Sequence, residues 1–173
     1  MTLADGAIVS ALAVVNSIGS VINPETALPW DLNQGRLQKP SAVDRRRLNN
    51  YLSSLQQSGK LPKSPSLNTT IGVVATNQSL TKSECKKFAS VAHDGLARAI
   101  RPAHLMNDGD TIFGVSVAQE DLTLQAQEAA FIDPQGRPAF LNAILAAGAQ
   151  VFSRACTEAV LTATSTKTLP CYR

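Results

Sequence analysis

Residues 68–84 read NTTIGVVATNQSLTKSE, and this stretch decides the fold. From Leu67 to Thr76, β-branched residues such as Thr70, Val73 and Val74 favour an extended, pleated backbone, so the segment is a strand. Asn77-Gln78-Ser79 turns the chain. Thr81 then caps a helix, with Glu84 at the capping-box position three residues on. Phe88, Ala92, Gly95, Leu96, Ala99 and Ile100 fall on one face of that helix. Pro102 ends it. Asn107-Asp108-Gly109-Asp110 is a turn, and TIFGVSVA at 111–118 is the next strand.

Working outward, a second long helix is predicted from Pro138 to Ala163. Leu141, Leu145, Gly148, Phe152, Ala155, Ala159 and Ala163 keep a three-four spacing along it. Small apolar residues dominate its other sides, so it is expected to be sandwiched. Upstream, AIVSALAVV at 7–15 reads as a buried strand. Asn16 to Ser20 is a turn, and a short strand follows near Val21-Ile22. A helix over Ser41–Ser58, capped by Ser41, lines one face with Val43, Leu48, Tyr51, Leu52 and Leu55. Residues 59–66, rich in Pro, Lys, Ser and Gly, read as an exposed linker. The mix of strands and helices predicts a layered α+β domain.

At 173 residues and 44% hydrophobic, the chain is long and apolar enough to bury a core, which excludes disorder throughout. Aromatics are only 5%, so Ala, Val, Leu and Ile must build that core. The net charge of +3 is uneven: seven basic residues face one acid, Asp44, between Arg36 and Lys63. The excess belongs to one insert, so no nucleic-acid partner is expected. No apolar run reaches the length of a membrane span, and no membrane partner is expected. Cys85, Cys156 and Cys171 form no CxxC pair, and His93 and His104 have no ligand spacing. Neither a metal nor a disulfide framework is predicted, and a reducing, cytoplasmic setting follows.

The most informative junction is Asn68-Thr69, where a basic, proline-rich linker meets a strand. Cleavage there would place the Thr69 hydroxyl and a bare α-amine on one residue, a nucleophile with its own base. An α-amine titrates near ~7.7–8, so a useful fraction is neutral at cellular pH. Threonine is stiff at χ1, which limits where the hydroxyl points. The same hydroxyl could attack the Asn68 carbonyl and make the cut itself. Thr-Thr opening a strand also has a plain reading, β-propensity alone.

Four blocks resemble the L-aminopeptidase/D-esterase family of N-terminal-nucleophile-type hydrolases, which includes β-peptidyl aminopeptidases and the endo-type hydrolase of nylon oligomers. They are AVVNSIGSV at 13–21, NTTIGVVATNQSLTKSE at 68–84, AHDGLARAIRPAHLMNDGDTIFGVS at 92–116 and NAILAAGAQVFSRACTEAVLTA at 142–163. The resemblance implies an αββα sandwich of the kind shared with ornithine acetyltransferases, and tetramers of cleaved pairs. It implies self-cleavage between Asn68 and Thr69, dividing 1–68 from a β-subunit, 69–173. Thr69 is then the nucleophile. Asn16 is an oxyanion donor, a role worth roughly 2.7–4 kcal/mol of barrier. Asp108 and Asp110 orient the nucleophile or hold its new ammonium. Asn16 and the Asp108-Gly109 pair each have a plain reading as turn residues. Short peptides, β-peptides, D-amino-acid amides or esters, or nylon-type oligomers are the implied substrates, with no metal or organic cofactor. Family precursors carry an upstream half that is missing here. This chain is therefore expected to expose strand edges and apolar surface and to cleave little by itself. The alternative is an inactive fragment or partner subunit of such a hydrolase.

Overall fold

The structure is a computed structural model that describes residues 1–4, 6–31, 40–57, 68–118, 136–166 and 171–172. The predicted linker at 59–66 lies outside the described residues. Five strands and three helices are seen among the described residues: β1 (Val9–Asn16), β2 (Ile22–Asn23), β3 (Leu28–Pro29), α1 (Ala42–Gln57), β4 (Thr69–Thr76), α2 (Lys82–Ala99), β5 (Thr111–Ser116) and α3 (Gly136–Leu161). The fold is α+β, as the pattern of strands and helices predicts.

The main sheet has the order β1-β4-β5. β1 runs antiparallel to β4 with Val9 opposite Thr76 and Asn16 opposite Thr69. β5 runs parallel to β4, with Ile71 opposite Thr111. The parallel pair requires a crossover, and α2 supplies it. β2 and β3 form a separate two-stranded ribbon, of which the sequence reading finds β2 and misses β3. Two residues of strand carry too little periodicity to be read.

α2 and α3 lie side by side on one face of the main sheet. Their shared core contains Phe88, Ala92, Leu96, Ile144, Val151 and Phe152, with Val9, Val74 and Ile112 from the strands. Small residues set the spacing of these layers. A Cβ on Gly95 would sit 2.1 Å from the Ala149 carbonyl oxygen, so the two helices touch backbone to backbone there. A Cβ on Gly72 would sit 2.2 Å from the Phe152 ring, which occupies the dent that this glycine leaves in β4. By length and composition α3 is apolar enough to cross a membrane, which the run-by-run reading of the sequence overlooks. In this fold α2 and the sheet occupy its apolar face, where Ile144, Leu145, Val151 and Phe152 are buried.

The opposite face of the sheet is open. Along β1 burial alternates, and Leu12 and Val14 are 67% and 66% exposed. Ile71, Phe113, Val115 and Val117 continue the same apolar surface. β1 is therefore covered on one side only, where the sequence reading takes it as buried. The expected exposure of apolar sheet surface is seen. On α1, Val43 is exposed as well, so the apolar face read for that helix is not a buried seam at this position. Asp94 and Arg98, spaced as a helical ion pair, form none: both are exposed, and water competes for each charge.

Candidate active site

β4 opens at Thr69 on a β-branched run that favours an extended, pleated backbone. Thr69 therefore sits at the mouth of the sheet. Its side chain lies on the open face with Ile71 and Val73, while Thr70, Gly72 and Val74 face the helices. Asn16, the last residue of β1, is directly opposite Thr69. Directly opposed residues hold their Cβ atoms about 4.5–5.5 Å apart, so the two side chains share one corner.

The bond between Asn68 and Thr69 is the centre of this corner. The Thr69 hydroxyl donates to the Asn68 carbonyl oxygen at 2.6 Å. The Gly109 N–H donates to that same oxygen at 2.8 Å. Asn68 also bridges to Asp108 in parallel register, just beyond the β4–β5 ladder. The four residues singled out from the sequence, Asn16, Thr69, Asp108 and Asp110, thus converge on one end of the sheet.

The two carboxylates have different jobs in the geometry. Asp108 closes its own turn: its N–H donates to Leu105 O at 2.8 Å, and its Oδ2 accepts the Leu105 N–H at 3.0 Å. Its Oδ1 accepts the Ile18 N–H at 3.2 Å, which ties the turn after β1 to this loop. Asp110, with a side chain only 4% exposed, accepts the Thr70 N–H on Oδ1 at 2.8 Å. Its Oδ2 lies 2.8 Å from His104 Nδ1. An ionised carboxylate only accepts, so Nδ1 carries the proton. Among the described residues, Asp108 bonds to backbone amides and Asp110 to a backbone amide and His104, and neither bonds to the Thr69 hydroxyl.

The sequence reading finds in His104 only a histidine without ligand spacing. Here it is a carboxylate partner, with a left-handed backbone at φ 57°. Its ring stands 5.0 Å from that of His93. Burial, with His104 beside it, holds His93 below the usual histidine range. No group of side chains suited to a metal ion occurs among the described residues. Two cysteines stand as rival nucleophiles in principle. Burial, followed by the Asp110 charge, pushes the Cys156 thiol up to about 12, and burial also raises Cys85. A thiol that stays protonated does not attack.

Gly109 is missed by the sequence reading, which takes it as half of a turn pair. A Cβ built on it would lie 2.8 Å from Thr69 Oγ1. The only sequence signal for this is a glycine between two acids just before a strand.

The sequence profile of Peptidase family S58 matches residues 2–170, and the chain belongs to that family. An uncharacterized aminopeptidase of Mycobacterium tuberculosis is 39% identical over 175 residues, covering 99% of this chain and 49% of the relative. A counterpart in Mycobacterium leprae is 37% identical over 99% of this chain and 45% of its own length. A 6-aminohexanoate-oligomer endohydrolase of Paenarthrobacter ureafaciens is 28% identical over 112 residues, 65% of this chain and 30% of that enzyme. The chain thus spans about half the length of the mycobacterial relatives.

Proposed function

We propose that this chain is the nucleophile-bearing part of a self-processing threonine amidohydrolase. The observation that carries this is the Thr69 hydroxyl lying 2.6 Å from the carbonyl oxygen of the peptide bond it would cut. The carbonyl carbon is one bond away from that oxygen, about 1.23 Å, so the hydroxyl rests beside its electrophile. Cleavage would divide the chain into 1–68 and 69–173.

The new α-amine of Thr69, titrating near ~7.7–8, would then take the proton from its own hydroxyl. Thr69 Oγ would attack the carbonyl of an incoming amide or ester, expel the amine or alcohol, and hold the acyl group until water removes it. Asn16, opposite Thr69 in the ladder, is proposed as the side-chain donor to the substrate's oxyanion. Asp108 and Asp110 are proposed as positioning residues, through the turn and the Thr70 amide respectively. Short peptides, β-peptides, D-amino-acid amides or esters, or nylon-type oligomers are the proposed substrates, in the cytoplasm. The names of the aminopeptidase and 6-aminohexanoate-oligomer endohydrolase relatives support the peptide and nylon-type oligomer members of this range.

The open apolar face supports an αββα sandwich, in which a second sheet from an upstream half covers Leu12, Val14 and Phe113. Assembly as a tetramer of cleaved pairs belongs to the same reading. The coverage of half the relatives' length also favours a second reading, a partner subunit or inactive fragment that needs the other half before it hydrolyses substrate.

The test is prolonged incubation of the purified chain with hydroxylamine, which intercepts an ester at Thr69, followed by intact-mass measurement. The expected products are slow-forming 1–68 hydroxamate and 69–173. Thr69→Ala should give neither. The same products from Thr69→Ala would remove Thr69 from the account.

A further inference from the structure

The chemistry at Asn68-Thr69 needs more than a hydroxyl. When Thr69 Oγ bonds to the Asn68 carbonyl carbon, a full negative charge gathers on the Asn68 oxygen. Attack is feasible only where a fixed donor already faces that atom, at about 2.7–3.1 Å. We propose that the backbone N–H of Gly109 is the oxyanion donor of this self-cleavage step, and that the residue is glycine because a Cβ would fill the nucleophile's own space. This rests on the reading of Thr69 as nucleophile.

Three observations carry it. The Gly109 N–H already donates to Asn68 O at 2.8 Å, on the oxygen that also receives the Thr69 hydroxyl. The donor is held in place from both sides. Before it, Asp108 is pinned by Leu105 and Ile18; after it, the Thr111 hydroxyl donates to Gly109 O at 3.1 Å. Finally, the Gly109 backbone is not left-handed, so a turn does not by itself demand glycine here. What glycine supplies is room: a Cβ would lie 2.8 Å from Thr69 Oγ1 and 3.7 Å from Asn68 O. Real Cβ atoms do not come that close to an oxygen, so the hydroxyl would have to rotate away.

The step balances without any other group. The Oγ–C bond forms as the hydroxyl gives up its proton, and the tetrahedral oxyanion sits on the Gly109 N–H. The C–N bond to Thr69 then breaks, and its nitrogen takes the proton to become the free α-amine. Asn68 is left as an ester on Thr69. Water attacks that ester and puts its oxygen on Asn68 as a carboxylate; one of its protons returns to Thr69 Oγ and the other goes to the new α-amine, making it an ammonium.

The deciding variant replaces Gly109 with glycolate by cell-free translation, exchanging the one N–H for an ester oxygen. Hydroxylamine-driven cleavage should slow by about 100-fold or more, the usual cost of losing an oxyanion donor. Cleavage within about threefold of the unaltered chain would overturn the donor assignment. Gly109→Ala keeps the N–H and adds only the Cβ, so it tests the steric half of the proposal even if the ester variant does not fold. It should slow cleavage comparably. Thr69→Ser in that background should restore part of the rate, because serine lacks the γ-methyl that locks χ1. Full-speed cleavage by Gly109→Ala would refute the steric half. A Thr69→Ala chain that still cleaves would instead sink the nucleophile reading, an outcome distinct from either glycine result. An unaltered chain that yields no hydroxamate would remove the reading and this proposal together.

Discussion

Asp110 shows how one buried carboxylate can fix a neighbouring hydroxyl without touching it. It grips the Thr70 amide, one residue past Thr69, and its other oxygen faces His104. A hydrogen bond to a charged group is worth about 1.5–3 kcal/mol. Asp110→Ala should therefore lower unfolding free energy by about that amount in urea melts and slow cleavage at Asn68. Asp110→Asn keeps an acceptor for the amide and should lose less. Thr70 itself is fully buried, and its hydroxyl makes no hydrogen bond among the described residues. Thr70→Val should therefore leave the melting temperature unchanged or raise it; a loss above about 2 kcal/mol would mean that the hydroxyl has a partner. Thr69 is legible in the sequence because a strand opening on threonine after a proline-rich segment is a local pattern. Gly109 is not, because its contact with Thr69 exists only once β5 has paired with β4.

At the scale of elements, the start of α2 holds a small charged network. The Thr81 N–H reaches Glu84 Oε2 at 2.8 Å, and the Glu84 N–H reaches Thr81 Oγ1 at 3.3 Å. Arg137, at the start of α3, donates to both Glu84 oxygens and to Ser79 O. Thr81→Ala should cost about 1 kcal/mol, the ordinary worth of such a cap, measured by thermal or urea unfolding. Burial alone would push the Glu84 carboxyl up; the bonds from Arg137 and Thr81 outweigh it and hold it below its ordinary 4.5. The unfolded chain then binds the proton first, so this stability is complete above 4.5 and is lost as pH falls below it. His93, held below 6.5 by burial, acts in the same direction from a higher pH. Melts between pH 7 and 4 should fall, and His93→Gln should flatten the upper part of that fall. The capping box is legible because its residues are three apart. Arg137 is invisible to that reading, since only the packing of α3 on α2 brings it to Glu84.

At the scale of the whole molecule, the sheet is half dressed. β1, β4 and β5 bury one face under α2 and α3 and present Leu12, Val14, Ile71 and Phe113 on the other. An apolar surface of this kind marks an interaction face or an aggregation hazard. Leu12→Lys with Phe113→Lys should reduce self-association and dye binding by the chain while leaving its helical circular dichroism unchanged. A collapse of the helical signal would mean that these side chains belong to the chain's own core. The order of strands and helices is legible because each has its own period. The open face is not: a strand apolar on both sides reads as buried, and no local signal says that one of its faces is exposed in this fold. The measurement that bears most directly on the whole account is N-terminal sequencing of the larger product, 69–173, released from the purified chain. The account predicts a sequence beginning Thr-Thr-Ile-Gly-Val, at residue 69. A product beginning at any other residue would contradict it.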